Sequence, residues 1–246
     1  MLSKKLTRLG VLAGTFVMLF AVSAQAYPVD TFTGPKVVTA ISLQDPDPTL
    51  LKTDNVDIIG GQRDLLLDVS NVSGPAGPAT YIGTIGEGSF VFNSGTPGVT
   101  ATLQYDGDDT DIVGPPASLV NSEGLGGVDL TAAGTNSFKL DFLSIEGGDY
   151  QDTDVTIEVH NGTDKATFIG KIPDSSVPTR YEVLFSDFTG ITSALASATS
   201  LEICLNPNGN PDVNFIMTGS VGVPEPATMI LLALGGIAVL RRRNRA

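Results

Sequence analysis

Residues 155–172 read VTIEVHNGTDKATFIGKI, and this stretch carries the pattern that decides the fold. From Val155 to Val159, apolar residues at odd positions alternate with polar residues at even positions. Such alternation is typical of a β-strand with one face buried and the other in water. Asn161-Gly162 then forms a turn signal, and a second strand-like run, Ala166–Ile172, follows it. The stretch therefore predicts two strands separated by a turn.

Similar runs recur along the chain between residues 27 and 222, separated by turn clusters rich in Gly, Pro and Asn. The further predicted strands are Val37–Leu43, Asp64–Val69, Ser89–Asn93, Val99–Tyr105, Phe138–Phe142, Tyr181–Phe185, Leu201–Leu205 and Val213–Thr218. One-faced alternation favours antiparallel strands that pack as two facing sheets. We therefore predict an all-β, antiparallel β-sandwich of about ten strands, most simply a jelly roll. Ser186–Ser200 holds the best short helix or loop.

The composition excludes several classes of function. The chain has 246 residues, a formal net charge of −13, one Cys and one His. A single Cys cannot form an internal disulfide. One Cys and one His also cannot build the common zinc sites, which use four cysteines, two cysteines with two histidines, or three histidines. The acidic balance argues against nucleic-acid partners, because phosphate backbones are bound by clustered Lys and Arg.

The N-terminus has the three-part layout of a secretory signal peptide. Three basic residues within the first eight precede the apolar run Val11–Val22, and the small residues Ala24 and Ala26 stand where signal peptidase cleaves. We predict that residues 1–26 are removed and that the protein is exported across the inner membrane. A first transmembrane helix is the alternative, but the run is shorter than the ~20 residues of a membrane span.

The C-terminus combines three features in order. Pro224-Glu225-Pro226 is followed by residues 227–240 without a charge, and then by Arg241, Arg242 and Arg243. Fourteen helical residues extend about 21 Å, against a hydrocarbon core of about 30 Å. The segment therefore predicts a short hydrophobic helix that anchors the chain marginally in the inner membrane, with the arginines on the cytoplasmic side.

Together with the signal peptide, these features resemble the PEP-CTERM sorting signal of bacteria that make extracellular polysaccharide. The resemblance covers Val223 to Arg245 and implies that an exosortase, a membrane-embedded transpeptidase-like enzyme, removes the tail. An ordinary C-terminal membrane anchor is the alternative. The order of the strand segments also resembles the jelly-roll bodies found ahead of this tail. We predict a signal peptide at 1–26, an acidic β-sandwich domain at 27–222 and a sorting signal at 223–246.

An acidic turn supplies the candidate metal ligands. Asp106, Asp108, Asp109 and Asp111 lie between predicted strands and could contribute several of the six to eight oxygens that Ca²⁺ requires. The turn is not an EF-hand loop, because Asp111 stands where that motif has Gly. A solvated hairpin tip, where Asp and Gly suit the turn geometry, is the alternative.

Other candidate residues give weaker signals. Tyr150, in a second acidic turn, is the best candidate platform for stacking a sugar ring. His160 is interpreted as a surface residue at the end of a strand, and Cys204 as a small, partly buried strand residue. No Gly-x-Ser-x-Gly nucleophile pattern occurs, so we predict no catalytic residue and no enzyme.

Removing both terminal segments takes away seven basic residues and leaves a body with a net charge of about −19 or −20. Such a surface keeps an exported domain soluble and attracts divalent cations. Our first hypothesis is a structural or adhesive component of the cell surface or the exopolysaccharide matrix. The alternatives are a Ca²⁺-assisted carbohydrate-binding module and, less favoured, a polysaccharide-active hydrolase or lyase.

Overall fold

The structure is a computed structural model, and it describes residues 27–33, 37–42, 49–54, 58–68, 80–86, 88–94, 99–107, 124–132, 135–147, 152–208 and 213–224. Strands dominate this part of the chain. They are β1 (Tyr27–Asp30), β2 (Val37–Ser42), β3 (Thr49–Asp54), β4 (Gln62–Asp68), β5 (Thr80–Gly86), β6 (Ser89–Asn93), β7 (Thr100–Tyr105), β8 (Thr135–Gly147), β9 (Thr153–Asn161), β10 (Asp164–Ile172), β11 (Thr179–Leu184), β12 (Thr189–Gly190), β13 (Ser200–Leu205) and β14 (Val213–Pro224). The helical segments of the described residues are short 3₁₀ turns at Ile59–Gly61, Phe185–Asp187 and Thr192–Ala196.

The strands form two seven-stranded sheets in which the named pairs are antiparallel. The first sheet has the order β11-β8-β14-β6-β5-β2, with β1 paired to β14. The second sheet has the order β12-β10-β9-β13-β7-β4-β3. The protein is thus an antiparallel β-sandwich of the jelly-roll type, which confirms the predicted fold class.

The core lies between the two sheets and is built from the apolar positions that the alternation selects. The second sheet contributes Leu65, Leu67, Ala101, Leu103, Val155, Ile157, Val159, Leu201, Ile203 and Leu205. The first sheet contributes a cluster of rings centred on Phe215 of β14. Its ring centroid lies 5.3 Å from that of Phe90 in an edge-to-face arrangement and 4.9 Å from that of Phe92 in a stacked one. Both arrangements are favourable for aromatic pairs.

A buried ion pair links the two sheets. Arg63 of β4 donates from Nη1 to Oδ2 of Asp30 on β1 at 2.6 Å, and both side chains are almost fully buried. The Tyr105 hydroxyl donates to the same carboxylate oxygen at 3.0 Å, and the Phe32 backbone N–H donates to Oδ1 at 2.7 Å. The Arg63 guanidinium also lies 5.4 Å from the Phe32 ring centroid. Arg63 is on the same face of β4 as the buried Leu65 and Leu67, where alternation predicts an apolar residue. The sandwich encloses a charge pair there instead.

Each predicted strand is present in the structure, but the pattern misses four others. β3 reads TLLKTD and β5 reads TYIGTIG, so neither shows clean alternation. β1 has only four residues, and β12 has two within the segment predicted as a short helix or loop. In that segment the short helical structure consists of 3₁₀ turns, Phe185–Asp187 before β12 and Thr192–Ala196 after it. The predicted C-terminal hydrophobic helix lies outside the described residues.

Candidate functional site

A groove lies on the outer face of the first sheet. Register partners on β6, β14 and β8 place Asn93, Asn214 and Glu146 in one row across three strands. The next row along the same strands is Val91, Ile216 and Ser144. Because register partners lie side by side on one face of a sheet, these six residues form a continuous floor. The groove above this floor has a volume of about 850 Å³ and is open to solvent.

The loop between β10 and β11 forms one wall of this groove, and backbone contacts hold it in place. Ser175 and Ile145 exchange two backbone hydrogen bonds of 2.8 and 2.9 Å. The Asp174 carboxylate accepts a hydrogen bond of 2.7 Å from the backbone N–H of Gly147. The wall is therefore tied to the end of β8. The floor and wall together present amide, hydroxyl and carboxylate groups around two aliphatic side chains.

The outer face of the second sheet carries a different arrangement. Asp64, Gln104, Glu202, Glu158 and Thr167 are successive register partners on β4, β7, β13, β9 and β10. This polar row crosses most of the sheet. It places two glutamates directly opposite one another on neighbouring strands, an arrangement that is destabilising for like charges.

Glu158, His160 and Glu202 form a cluster within this face, which we call the Glu-His-Glu cluster. One ligand atom from each lies within 4.8 Å of the others. Glu158 accepts a hydrogen bond of 2.8 Å from Lys165 at Oε1, and its Oε2 lies 3.5 Å from Nε2 of His160. Lys165 therefore neutralises only one of the two carboxylates.

Burial governs the protonation of the cluster. The pKa of Glu202 is raised, first by burial and then by the negative charge of Glu158. The pKa of His160 is lowered, chiefly by burial, with Lys165 lowering it further and Glu158 opposing the shift. The lowered pKa favours the neutral imidazole, which is the form that binds metal ions.

The predicted acidic turn is only partly described. Asp106 is fully buried at the end of β7, whereas a solvated turn would expose its carboxylate. Its backbone carbonyl packs so closely against Gly124 that a Cβ there would lie 1.5 Å from the oxygen. Asp108, Asp109 and Asp111 lie outside the described residues, as do Tyr150, Ala24 and Ala26, and Glu225, Pro226, Arg241, Arg242 and Arg243. The calcium and sugar-platform hypotheses remain predictions.

Sequence reasoning did not find the groove or the Glu-His-Glu cluster. Alternation places Glu158 and His160 on one face of a strand, and Glu202 on the outer face of another. It does not show that β9 and β13 are neighbours or that Glu158 and Glu202 are opposite. Strand order and register depend on long-range packing, so the constellation became visible only in the folded sheet.

The last strand runs directly into the Pro-Glu-Pro tripeptide. Gly222 of β14 pairs with Phe138 of β8 on one side and with Tyr27 of β1 on the other. Pairing with β8 continues to Pro224, which is opposite Thr135. The end of the sheet and the beginning of the predicted tail thus share residues.

A family profile described as the PEP-CTERM protein-sorting motif matches residues 222–245. The chain carries a PEP-CTERM sorting motif. The motif implies an exported protein and recognition by an exosortase. A search of curated proteins finds no match. Among the residues that the structure describes, no helix has the length and apolarity needed to cross a membrane.

Several solved structures resemble the fold at low sequence identity. The family 11 carbohydrate-binding module of a cellulosomal cellulase of Clostridium thermocellum aligns with 10% identity and a TM-score of 0.36, covering 82% of this chain and 97% of that one. An exo-β-agarase aligns with 9% identity and a TM-score of 0.37, covering 83% of this chain and 25% of that one. The module TmCBM61, solved with β-1,4-galactotriose, aligns with 9% identity and a TM-score of 0.28, covering 81% and 99%.

Proposed function

We propose that this protein is an exported structural or adhesive component of the cell surface or the extracellular polysaccharide matrix, delivered through its C-terminal motif. The observation that carries the proposal is the PEP-CTERM motif at residues 222–245. The acidic, compact β-sandwich ahead of it fits a soluble body that acts outside the cell.

In this proposal, processing has three steps. Signal peptidase removes residues 1–26, and the apolar segment 227–240 then holds the body at the inner membrane. An exosortase cleaves near Pro224-Glu225-Pro226 and releases the body to the surface or the matrix. Because β14 ends at Pro224, the first residue of the Pro-Glu-Pro motif, the folded sandwich extends into the motif itself.

Mass spectrometry of the protein isolated from cells tests this proposal. We expect a mature species that begins at Tyr27 and ends near Pro224. Substitution of Glu225 by Ala should cause the unprocessed tail to accumulate, whereas Glu182→Gln on β11 should leave processing unchanged. A mature protein that retains Arg241–Arg245 would instead indicate a simple membrane anchor.

The groove on the first sheet favours polysaccharide as a ligand of the body. Asn and Glu side chains offer paired donors and acceptors that suit neighbouring sugar hydroxyls, and the row of Asn93, Asn214 and Glu146 presents three of them on adjacent strands. Two aliphatic side chains, Val91 and Ile216, supply an apolar strip beside the row. The calcium-assisted alternative places the ion in the acidic turn that follows β7, which is a strand of the second sheet.

A glycan array, probed with and without calcium, tests the binding hypothesis. We expect retention on specific polysaccharides that is weakened in Asn93→Ala and in Glu146→Gln, both of which change exposed side chains. Glu182→Gln, an acidic residue of the same sheet away from the groove, is the matched control. Calcium dependence would support the acidic turn as a cofactor site, and binding unaffected by either groove variant would exclude the groove.

We propose that the body is not catalytic. Burial raises the pKa of the Cys204 thiol to about 12, so the thiolate nucleophile is scarce at neutral pH. The closely spaced carboxylates of Glu158 and Glu202 provide the sharpest test of the enzyme alternative. Polysaccharide turnover that disappears in Glu158→Gln or Glu202→Gln would contradict the proposal.

A further inference from the structure

The Glu-His-Glu cluster on the second sheet has two carboxylates and one paired lysine, Lys165. Glu158 and Glu202 are register partners on adjacent strands, and Lys165 is bonded to only one of them. Among the described residues, none donates a hydrogen bond to Glu202 or forms an ion pair with it, and its side chain is half-buried. A partly buried carboxylate next to another carboxylate is unfavourable unless a positive charge or a proton is shared between them.

His160 contributes a ring nitrogen without a hydrogen-bond partner to the cluster. Its Nε2 atom is buried and makes no hydrogen bond, and the 3.5 Å to Oε2 of Glu158 is too long for a good one. The His160 and Glu158 side chains are 19% and 21% exposed, so the cluster is half-buried and still reached by solvent. The neighbouring residues on its own face are Lys165 of β10 and Ser200 of β13. His160 therefore lies beside two carboxylates without a hydrogen bond of good geometry at Nε2.

One nitrogen and two carboxylate oxygens, all within 4.8 Å of one another, match the ligand types of a three-residue zinc site. Small side-chain rotations would bring each atom to the ~2.0–2.2 Å that zinc ligands require, and a fourth position would remain open to water. Calcium is a poorer match because it takes six to eight oxygens and rarely imidazole.

We propose that Glu158, His160 and Glu202 bind a divalent transition metal, with Zn²⁺ as the expected ion, on the outer face of the second sheet. The site is distinct from the acidic turn predicted to bind calcium and lies on the opposite sheet from the polysaccharide groove. It does not depend on the proposed function. A bound ion would tie β9 to β13 across the face of the sheet and neutralise the repulsion between the two glutamates.

Zinc titration of the full-length, untagged protein by calorimetry tests this inference. We expect one zinc ion per chain, with affinity reduced roughly tenfold or more in Glu202→Gln and in His160→Asn. Asp154→Asn is the matched control, because Asp154 lies on the same strand and face about 13 Å along it from Glu158. The control should bind zinc as the unaltered protein does. Equal affinity in Glu202→Gln and Asp154→Asn would overturn the proposal.

The single histidine gives a second and independent readout. Because the chain contains one His, its imidazole nitrogen resonances are unambiguous by NMR. Zinc should shift the Nε2 resonance of His160, and calcium at the same concentration should not. Zinc binding that leaves the His160 resonances unchanged would place the ion elsewhere on the acidic surface and would also overturn the proposal.

Discussion

At the residue scale, the most costly feature of the core is the charge pair between Asp30 and Arg63. Its geometry is tight, but Nε and Nη2 of Arg63 make no hydrogen bond in the described part of the chain. Burying two charges costs several kcal/mol per ion, so such a pair adds little net stability while its loss is severe. The pair therefore acts mainly to fix β1 against the opposite sheet.

Removal of one partner should destabilise the protein strongly. We expect Asp30→Leu or Arg63→Met to lower the free energy of unfolding by about 3–5 kcal/mol, because each leaves an uncompensated buried charge. The double variant should lose less than the sum of the two. Urea unfolding measures all three. As a control, loss of the exposed Arg180–Asp141 pair, with its 2.8 Å hydrogen bond, should cost less than about 1 kcal/mol. If the double variant lost as much free energy of unfolding as the two single variants together, Asp30 and Arg63 would not stabilise each other in the folded protein.

Glu202 should make the metal-free protein less stable at higher pH. Its pKa is raised in the folded state by burial and by Glu158, with Lys165 opposing the shift and His160 beside it. A raised carboxyl pKa adds stability that is complete below the unfolded value near 4.5 and is lost as the pH rises through the folded value. Glu202→Gln should remove this slope. Unfolding measured from pH 4 to pH 8 tests it, and identical slopes in both proteins would show the expectation to be wrong.

At the element scale, two glycines are required for different physical reasons. Gly124 has a φ of +153°, and a Cβ at this position would lie 1.5 Å from the carbonyl oxygen of Asp106, which cannot move without distorting the end of β7. Gly162, in the turn between β9 and β10, has a φ of +58° and open space where a Cβ would be. Gly124 therefore combines a positive φ with a steric clash, whereas Gly162 requires only the positive φ.

Alanine substitutions should distinguish these two requirements. Gly124→Ala should cost more than about 2 kcal/mol because backbone atoms clash. Gly162→Ala should cost about 1 kcal/mol, the ordinary penalty of a left-handed conformation for a residue with a Cβ. Melting temperatures of the two variants provide the comparison. An equal effect of both substitutions would mean that the contact between Gly124 and Asp106 is easily relaxed.

The elements also show what could be predicted from the sequence. Alternation located β7, β9 and β13 because their apolar side chains face one shared core. It missed β5, where glycines interrupt the pattern, and it assigned Arg63 no special role because its partner Asp30 is 33 positions earlier in the chain. The Glu-His-Glu cluster and the groove depend on which strands are neighbours. The alternation within one strand does not show how the strands pair across a sheet. The sorting motif was predictable because its signal is contiguous in the sequence.

At the scale of the whole molecule, β14 holds the first sheet together. It pairs with β8 on one side, with β6 on the other along its first half, and with β1 along its second half. Its side chains Val213, Phe215 and Met217 are buried in the core. A chain without β14 would lose the central connection of this sheet and part of the aromatic cluster.

Two truncations test this requirement. A chain that ends at residue 212 should fail to form a cooperative β-sandwich, whereas one that ends at Pro226 should fold as the complete body does. Circular dichroism and resistance to proteolysis measure the difference. A protease-resistant sandwich in the shorter chain would show that the first sheet closes without its last strand.

The position of β14 sets the order of events during export. In the proposed route, with residues 1–26 as a signal peptide, the chain crosses the membrane N-terminus first, so the strand that completes the first sheet is the last part of the body to emerge. Only two residues separate its end at Pro224 from the apolar segment that begins at residue 227. We therefore expect the body to cross as an unfolded chain and to reach its final fold only when the tail arrives at the membrane. In the proposed route, arrest of the tail and completion of folding would then be nearly simultaneous.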